Sequence, residues 1–324
     1  MAPLLSVTKL SVSFRTPQGL VNAVHDVSFT VSAGETLALV GESGCGKSVT
    51  SMAIMGLIAI PPGQIQSGSI LYGGRDLLKT SAKEMNGIRG REISMVFQDA
   101  MTSLNPVYTV GNQLMEVIRH HQRLNPRQAR EKAVEILDLV GIPSPQQRVD
   151  EYPFELSGGM RQRVMIAIAL SCNPKVLIAD EPTTALDVTI QAQIVRLLKR
   201  LQTQLGTAMI FISHDLGVVA NLAHRVAVMY CGRIVEEAPV EDLYRQPAHP
   251  YTEGLLRAVP RADQDVETLL AIPGTVPRPT ETITGCSFWP RCPYAVDVCK
   301  QEEPGITVSG RRSVRCYRPR AEMR

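Results

Sequence analysis

The chain has 324 residues, 44% of them apolar and 20% charged, which is an ordinary globular composition and long enough for one large domain plus an appendage. A net charge of +3 is too small to indicate a nucleic-acid partner. The best apolar run, residues 52–60, is about half as long as a membrane span, and the start lacks the basic segment of a secretory signal. We therefore expect a cytosolic protein whose 7 cysteines are thiols or metal ligands.

The predicted elements alternate between strands and helices along the chain. Alternating apolar and polar residues at 10–14 and 27–31 predict two half-buried strands. Longer apolar runs predict buried strands at 36–40, 93–97, 176–179, 207–213 and 226–230. Helical spacing and capping residues predict helices at 49–57, 126–140, 160–170 and 190–205. This order predicts a mostly parallel sheet wrapped by helices.

The composition changes near residue 240. Half of the 22 prolines lie beyond residue 238, together with four of the 7 cysteines. The sequence has no internal repeat and no low-complexity run. We therefore predict that residues 241–324 form an extension of different construction from the body of the chain.

A glycine-rich loop occupies residues 41–48, with the sequence GESGCGKS. It matches the pattern G-x-x-x-x-G-K-[ST] and lies between a predicted strand and a predicted helix. Such glycines let the backbone approach a phosphate, while the helix start, Lys47 and Ser48 supply N–H groups, a positive charge and a Mg²⁺ ligand. An ordinary glycine turn would not need this combination, so the loop predicts a nucleotide-phosphate site.

An acidic pair ends a later apolar strand. Asp180 and Glu181 follow the strand at 176–179, where one carboxylate can hold the Mg²⁺ shell and the other can polarise an attacking water. Alone, such a pair could equally mark a strand leaving the core. Downstream of a phosphate loop, it indicates nucleotide hydrolysis.

The segment Leu156-Ser157-Gly158-Gly159-Met160 precedes a predicted helix. Exposed N–H groups at such a helix start form an anion site. The alternative is a capped helix with a flexible entrance. The other motifs favour the anion site.

Taken in order, these motifs resemble the nucleotide-binding subunit of ABC transporters, from about Leu4 to Glu237. The resemblance implies an α/β fold: a P-loop NTPase (RecA-like) core with an antiparallel β subdomain and a helical subdomain at about residues 99–163. These would make up a nucleotide-binding domain of residues 1–240, followed by the Cys/Pro-rich extension of residues 241–324.

The resemblance also implies a role for each matching residue. Glu181 would position water, Lys47 and His214 would hold the γ-phosphate, and Gln98 would report to the permease, with Ser48, Gln98 and Asp180 as the Mg²⁺ ligands. In this family two subunits sandwich two ATP molecules, so Ser157, Gly158 and Gly159 would act on the partner's ATP. The remaining expected ATP contacts are Phe14, Gly41, Ser43, Gly44, Cys45, Gly46, Val49 and Asp187, the last in a D-loop with Ala185 and Leu186.

Two of these positions carry open alternatives, and one neighbouring position departs from the family pattern. Phe14, expected under the adenine, could instead point into the core from its strand. His214 could be a polar residue at a strand end. Met160 stands where the family usually has glutamine, and its thioether cannot make that side chain's hydrogen bonds.

The tail narrows the resemblance to the oligopeptide/dipeptide permease group, and most closely to its dipeptide-type D subunits. The segments that carry it are His249-Pro250-Tyr251-Thr252, Gly285-Cys286 and Pro290-Arg291-Cys292-Pro293, with support from residues 99–106. The family commonly has proline where Ala100 stands.

This group implies an ATPase that powers uptake of dipeptides or oligopeptides from the cytoplasmic face of the inner membrane. It would work as a heterodimer with a homologous ATPase subunit, beneath two transmembrane permease subunits, and would be fed by an extracytoplasmic binding protein. Alternatives are the same role for nickel, glutathione or another solute, or a switch protein outside transport.

The four tail cysteines are Cys286, Cys292, Cys299 and Cys316. Their spacing matches neither the paired cysteines of zinc sites nor those of bacterial ferredoxins, so spacing alone leaves clustered ligands and unrelated thiols equally open. Some members of the resembled group carry a [4Fe–4S] cluster on these cysteines. The resemblance therefore implies a structural cluster that staples the tail, with zinc or no metal as the alternatives.

Overall fold

The computed structural model of the protein describes residues 2–99, 103–184, 186–258, 272–277, 280–281 and 283–321. Mutual contacts divide the chain into two compact units. The first consists of Met1–Leu4, Val31–Glu35 and Lys79–Ile212, and the second of Leu5–Thr30, Thr36–Leu78 and Ser213–Arg324. The extension thus groups with the amino-terminal strands, and the predicted domain boundary at residue 240 stays a prediction.

The strands and helices are numbered in chain order. The strands are β1 (Leu5–Thr16), β2 (Gly19–Val31), β3 (Thr36–Val40), β4 (Gly63–Tyr72), β5 (Arg75–Asp76), β6 (Ile93–Val96), β7 (Val176–Asp180), β8 (Ala208–Ser213), β9 (Arg225–Tyr230), β10 (Arg233–Pro239), β11 (Ile306–Ser309) and β12 (Arg312–Arg315). The α-helices are α1 (Lys47–Ile54), α2 (Ala82–Ile88), α3 (Val110–Gln122), α4 (Pro126–Leu139), α5 (Pro145–Arg148), α6 (Gly158–Leu170), α7 (Val188–Leu205), α8 (Leu216–Leu222), α9 (Val240–Arg245), α10 (Pro250–Arg257) and α11 (Asp297–Gln301).

The first unit is built on parallel strands. β6 pairs with β7, placing Ile93 opposite Val176, and β7 pairs with β8, placing Val176 opposite Ala208. All residues of these three strands are buried, as expected for a sheet covered on both faces. The carboxyl ends of β6 and β7 therefore lie side by side, which brings the residues that follow them together.

The second unit contains an antiparallel sheet in the order β2-β1-β4-β5. β1 runs against β4 with Leu5 opposite Tyr72 and Phe14 opposite Gly63, and its register shifts near Ser11. Buried residues of β1 alternate with half-exposed ones around Leu10 and Val12, so one face of the sheet packs inward.

A second group of strands in this unit connects the phosphate-loop strand to the tail. β3 pairs in parallel with β9, and β9 pairs antiparallel with β10. β10 then pairs with β12, placing Glu236 opposite Val314, and β12 pairs with β11. The extension is thus continuous with the strand ladder that contains β3.

The predicted strands and helices are confirmed, but β1 begins five residues and β2 eight residues before the predicted start, while the other ends shift by at most three residues. Asn125 caps α4 through a capping box with Gln128, and Gly206 ends α7 in the left-handed conformation. α6 and α7 each begin two residues earlier than predicted, because the preceding Ser157 and Asp187 act as the caps. Ala100 and Ala185 lie outside the described residues.

Within the described ranges, no helix combines the length and the apolarity that crossing a membrane requires.

Candidate functional site

The phosphate loop connects β3 to α1 and requires glycine at two tight positions. Gly41 has φ +154°, and a Cβ there would lie 2.2 Å from the carbonyl oxygen of Met229 and 2.7 Å from Cys45 Sγ. Gly46 has φ +104°, and a Cβ there would lie 2.5 Å from the carbonyl oxygen of Ala23. Only glycine fits both sites, so the loop is held closely against neighbouring backbone.

Lys47 is buried and lies across its own loop. Its ammonium donates to the carbonyl oxygens of Gly41, at 2.8 Å, and Glu42, at 3.2 Å. The preceding residue, Gly46, has no side chain with which to cap α1, and it adopts the left-handed conformation there. A lysine charge and a helix amino terminus thus meet at one loop, as the predicted anion site requires.

Cys45 lies at the centre of this loop and is buried. Burial raises the pKa of its thiol, and the charge of nearby Lys47 opposes that effect. The Cys45 side chain packs inside the loop, where its Sγ accepts from Lys47 Nζ at 3.8 Å. Ser43 and Gly44 are exposed, while Ser48 and Val49 are half-buried.

The acidic centre lies in the first unit, after β7. Glu181 Oε2 accepts hydrogen bonds from Gln98 Nε2, at 3.1 Å, and from Thr184 Oγ1, at 3.0 Å. Its N–H donates to the carbonyl of Ile212 at 3.0 Å, and Asp180 before it is buried. Two residues predicted to act on ATP, Gln98 and Glu181, are therefore in direct contact, and Thr184 is a partner that the sequence did not indicate.

Glu181 also has an unusual backbone conformation. Its φ is +45°, in the left-handed region that residues with a side chain rarely occupy. Such positions carry strain of about 1–3 kcal/mol and cluster at functional sites. The strained turn and the two side-chain partners together fix the direction of the carboxylate.

The helix start at α6 differs from the predicted open anion site. The Ser157 hydroxyl accepts a hydrogen bond from the N–H of Met160 at 3.3 Å, so this helix is capped by its own serine. A Cβ on Gly159 would lie 2.8 Å from Ile190 Cγ2, which explains the need for a small residue against α7. On Gly158 the nearest atom would be Leu186 Cδ2 at 3.9 Å, an ordinary contact.

The other predicted ATP contacts are placed as follows. Asp187 is exposed and caps α7, its carboxylate accepting from the N–H of Ile190 at 3.0 Å. His214 is exposed and directly follows β8. Phe14 is half-buried on β1, so it is not enclosed in the core. Their roles toward ATP stay predictions.

The four tail cysteines line one small cavity of about 20 Å³. Burial raises the pKa of the Cys286 thiol to about 12 and that of Cys316 to about 11, and it also raises that of Cys292. In the described part of the chain, no group of three or more His, Cys, Asp and Glu side chains is arranged to hold a metal ion. The expected cluster is therefore not borne out as a formed metal centre, although its four cysteines are brought together.

One set of contacts was not predicted from the sequence. Tyr251 and Arg291 of the extension both bind Glu42 of the phosphate loop, through hydrogen bonds of 2.9 Å from the Glu42 N–H and 2.8 Å to its carboxylate. Both residues lie in segments that carry the family resemblance, which was the only available hint of their importance.

Comparisons with known proteins agree with this geometry. Residues 24–184 match the family model described as ABC transporter, and residues 235–299 match the oligopeptide/dipeptide transporter, C-terminal region. The chain is 52% identical to the oligopeptide transport ATP-binding protein AppD of Bacillus subtilis (strain 168), over 98% of this chain and 97% of that protein. It is 51% identical to the dipeptide transport ATP-binding protein DppD of Escherichia coli (strain K12), over the same shares of 98% and 97%.

A solved structure supports the fold class. The dimeric, post-hydrolysis structure of the ATP-binding cassette MJ0796 with ADP and Pi is 26% identical, with a TM-score of 0.66, over 73% of this chain and 98% of that one. The expected P-loop NTPase core is thereby confirmed. The chain belongs to the ABC transporter family and is one of its ATPases.

Proposed function

We propose that this chain is the ATP-hydrolysing subunit of an importer of dipeptides and oligopeptides. The match of residues 235–299 to the oligopeptide/dipeptide transporter C-terminal region carries this proposal. The ATPase core alone would not distinguish peptides from other solutes, because one fold serves many functions. Identity above 50% to AppD and DppD over nearly the full chain supports the same class of solute.

The phosphate loop is proposed to hold the β- and γ-phosphates of ATP. Lys47, which donates to the carbonyl oxygens of Gly41 and Glu42, would transfer its donors to phosphate oxygens, and charged acceptors make the stronger bonds. Ser48, Gln98 and Asp180 carry the hard oxygen ligands that Mg²⁺ prefers. The ion would neutralise phosphate charge when bound.

Glu181 is proposed to direct the attacking water. Its carboxylate accepts a proton of that water, whose oxygen bonds to the γ-phosphorus as the bond to the β,γ-bridging oxygen breaks, giving ADP and phosphate. The contacts from Gln98 and Thr184 keep the carboxylate in one orientation. His214 is proposed to bind γ-phosphate oxygens, and Phe14 to pack under the adenine.

The functional unit is proposed to be a heterodimer with a homologous ATPase subunit. MJ0796, which shares the fold, is dimeric with ADP and Pi, and dimerisation would let Ser157, Gly158 and Gly159 meet the partner's ATP. Asp187 would lie near the same nucleotide. Two membrane-spanning permeases and an extracytoplasmic peptide-binding protein complete the importer, with this chain on the cytoplasmic face. A net charge of +3 supports no role for nucleic acid.

The cysteine-lined cavity is proposed to take a [4Fe–4S] cluster with a structural role. All four tail cysteines line it, and aromatic rings of Phe288, Trp289, Tyr294 and Tyr317 shield it. The raised thiol pKa values mean that loading must release protons.

Transport tests the proposed solute. The subunits that co-purify with this chain, reconstituted in vesicles with the binding protein, should take up labelled dipeptides when ATP is supplied on the side of this chain. A Lys47→Ala complex should fail to do so, because it lacks the charge that holds the phosphates. ATP-driven uptake of nickel or glutathione, with no uptake of peptides, would contradict the proposal.

Metal analysis tests the cluster separately. The purified chain should be brown and contain iron and acid-labile sulfide in equal amounts, and Cys292→Ser should lose both. Cys172→Ser is the matched control, because Cys172 lies outside the tail. Stoichiometric zinc, or a colourless protein after anaerobic purification, would refute the cluster.

A further inference from the structure

The contact between the extension and the phosphate loop converges on one residue, Glu42. Its N–H donates to Tyr251 Oη at 2.9 Å, and its carbonyl oxygen accepts from Lys47 Nζ at 3.2 Å. Its carboxylate accepts two bonds from Arg291, at 2.8 and 3.1 Å. Every polar group of Glu42 is thus used, and the residue connects the phosphate-binding lysine directly to the extension.

Arg291 is fixed by more than Glu42. Its Nε donates to the carbonyl oxygen of Pro273 at 3.1 Å, and its guanidinium lies 5.8 Å from the ring centroid of Tyr230. Its side chain is only 4% exposed, so water cannot replace these partners. Because these contacts fix the guanidinium of Arg291, its two terminal nitrogens meet the Glu42 carboxylate in a single geometry.

Tyr251 is fixed by packing. Its buried ring contacts Tyr230 and Phe288, with ring centroids 4.6 and 5.4 Å away. Its N–H donates to His249 Nδ1 at 3.0 Å. Since Tyr230 ends β9, the hydroxyl that receives the Glu42 N–H is anchored to the central strands of this unit.

The contacts of Arg291 and Tyr251 with Glu42, here called the Glu42 clamp, also have an electrostatic consequence. A carboxylate in a loop that receives triphosphate would repel its ligand, and Arg291 pairs that charge within hydrogen-bond distance. Loss of Arg291 would both free the loop and leave a negative charge beside the phosphates. Both effects weaken binding of ATP before they affect the chemical step.

We propose that Arg291 and Tyr251 are positioning residues that hold Glu42 so that the phosphate loop is preorganised for ATP. The proposal rests on the proposed assignment of residues 41–48 as the ATP-phosphate site. It gives the extension a direct role in nucleotide affinity, separate from any metal in its cysteine cavity.

Steady-state kinetics of the assembled importer test the clamp. Arg291→Gln should raise the KM for ATP roughly 10- to 100-fold, the factor expected for a lost charged hydrogen bond, and change kcat less than about threefold. Arg312→Gln is the matched control: it removes an arginine of the same extension that donates to the Gln246 and Asp242 carbonyls, and it should leave KM unchanged.

A double mutant separates positioning from general destabilisation. Arg291→Gln and Glu42→Gln remove the same ion pair, so the double mutant should raise KM no further than the worse single mutant. Tyr251→Phe removes only the hydroxyl and keeps the ring packing, so it should raise the KM for ATP about 3- to 10-fold. This variant replaces Arg291→Gln as the test if Arg291→Gln does not fold. Fold-changes that multiply in the double mutant, or an unchanged KM in a folded Arg291→Gln or Tyr251→Phe protein, would overturn the clamp.

Lys47→Ala identifies which assignment has failed. If it abolishes ATP binding while the clamp variants bind normally, the phosphate site stands and the clamp falls. If it binds ATP like the wild type, the site assignment and the clamp both fall.

Discussion

We predicted anion binding at the amino termini of two helices, α1 and α6, and the two termini are built differently. α1 begins after Gly46, which has φ +104° and no side chain, with the buried Lys47 as its first residue. α6 begins after Ser157, whose hydroxyl accepts from the Met160 N–H at 3.3 Å. The first start is open at its cap, whereas the second is closed by a hydrogen bond of its own.

This difference suggests an order of events. The phosphate loop has its lysine, its tight glycines and the Glu42 clamp within one chain, so we expect it to bind ATP without a partner subunit. An anion at α6 must compete with the Ser157 cap, an interaction worth about 1 kcal/mol. We therefore expect ATP to bind first at the phosphate loop, and the start of helix α6 of a partner subunit to join afterwards.

The largest effect is expected from the acidic centre. Glu181→Gln should lower ATP turnover about 10²- to 10⁴-fold, because an amide cannot accept the proton of the attacking water, and ATP should remain bound. Phosphate release and nucleotide retention measure the two effects. Glu135→Gln, which alters a surface carboxylate paired with Lys132 at 2.9 Å, is the control. Retained ATP turnover in Glu181→Gln would show that Glu181 does not direct the attacking water.

The next effect distinguishes the glycines of the two helix starts. Gly46→Ala places a Cβ 2.5 Å from a carbonyl oxygen at a left-handed position, so it should cost about 1–3 kcal/mol of unfolding free energy and abolish ATP binding. Gly158→Ala meets its nearest atom at 3.9 Å and should change the unfolding free energy by less than about 1 kcal/mol. Urea titration measures both variants, and equal losses would contradict the comparison.

A third helix start, at α10, should make stability depend on pH. His249 is buried and caps this helix by accepting from the Tyr251 N–H, and burial lowers its pKa to about 3. The unfolded chain, with a pKa near 6.5, therefore binds the proton first, and stability present above that pH is lost as pH falls toward 3, by about 1.4 kcal/mol per unit.

His249→Asn keeps an acceptor for the cap and removes the titration. The difference between wild type and variant in unfolding free energy should therefore change by about 2 kcal/mol between pH 7 and pH 5. Burial raises the pKa of Glu236, which changes stability with pH in the opposite direction. Because Glu236 is present in both proteins, its contribution cancels in the difference. A difference that is constant across this range would refute the buried neutral histidine.

The smallest effect is expected at Met160. A glutamine side chain adds a donor and an acceptor at the start of α6, so Met160→Gln should raise ATP turnover of the assembled importer about two- to fivefold. Met52→Gln, which alters an exposed methionine on α1, is the control. Met165 is buried and is therefore unsuitable. An unchanged rate after Met160→Gln would mean that the departure from glutamine is tolerated.

Much of the fold followed from local patterns. Buried strands such as β3 and β7 are short apolar runs, and the caps at Asn125 and Gly206 fix helix ends through local chemistry. β4 was not predicted, since most of its residues are exposed or half-exposed and carry no clear alternation. The tail strands β11 and β12 are only four residues long, and β11 is largely exposed while β12 has one apolar residue, Val314, so they too had no apolar signal.

The candidate site likewise contains residues that local motifs predicted and contacts that they did not. The loop at 41–48 and the pair Asp180-Glu181 are contiguous motifs, and adjacent parallel strands explain why Gln98 reaches Glu181. The ion pair between Glu42 and Arg291 joins residues 249 positions apart. No local pattern encodes such a pairing, because it arises only when the tail folds back onto the strands beside the phosphate loop.

Equilibrium binding of a fluorescent ATP analogue to the isolated chain tests the central claim most directly. Lys47→Ala should weaken binding at least about 10-fold, because it removes a charged donor to the phosphates. Ser157→Ala should leave the Kd within about twofold, although it lowers stability by about 1 kcal/mol, as Asn125→Ala should at the remote cap of α4. If Ser157→Ala weakens binding as much as Lys47→Ala, the phosphate loop does not bind ATP alone and the proposed order of binding is wrong.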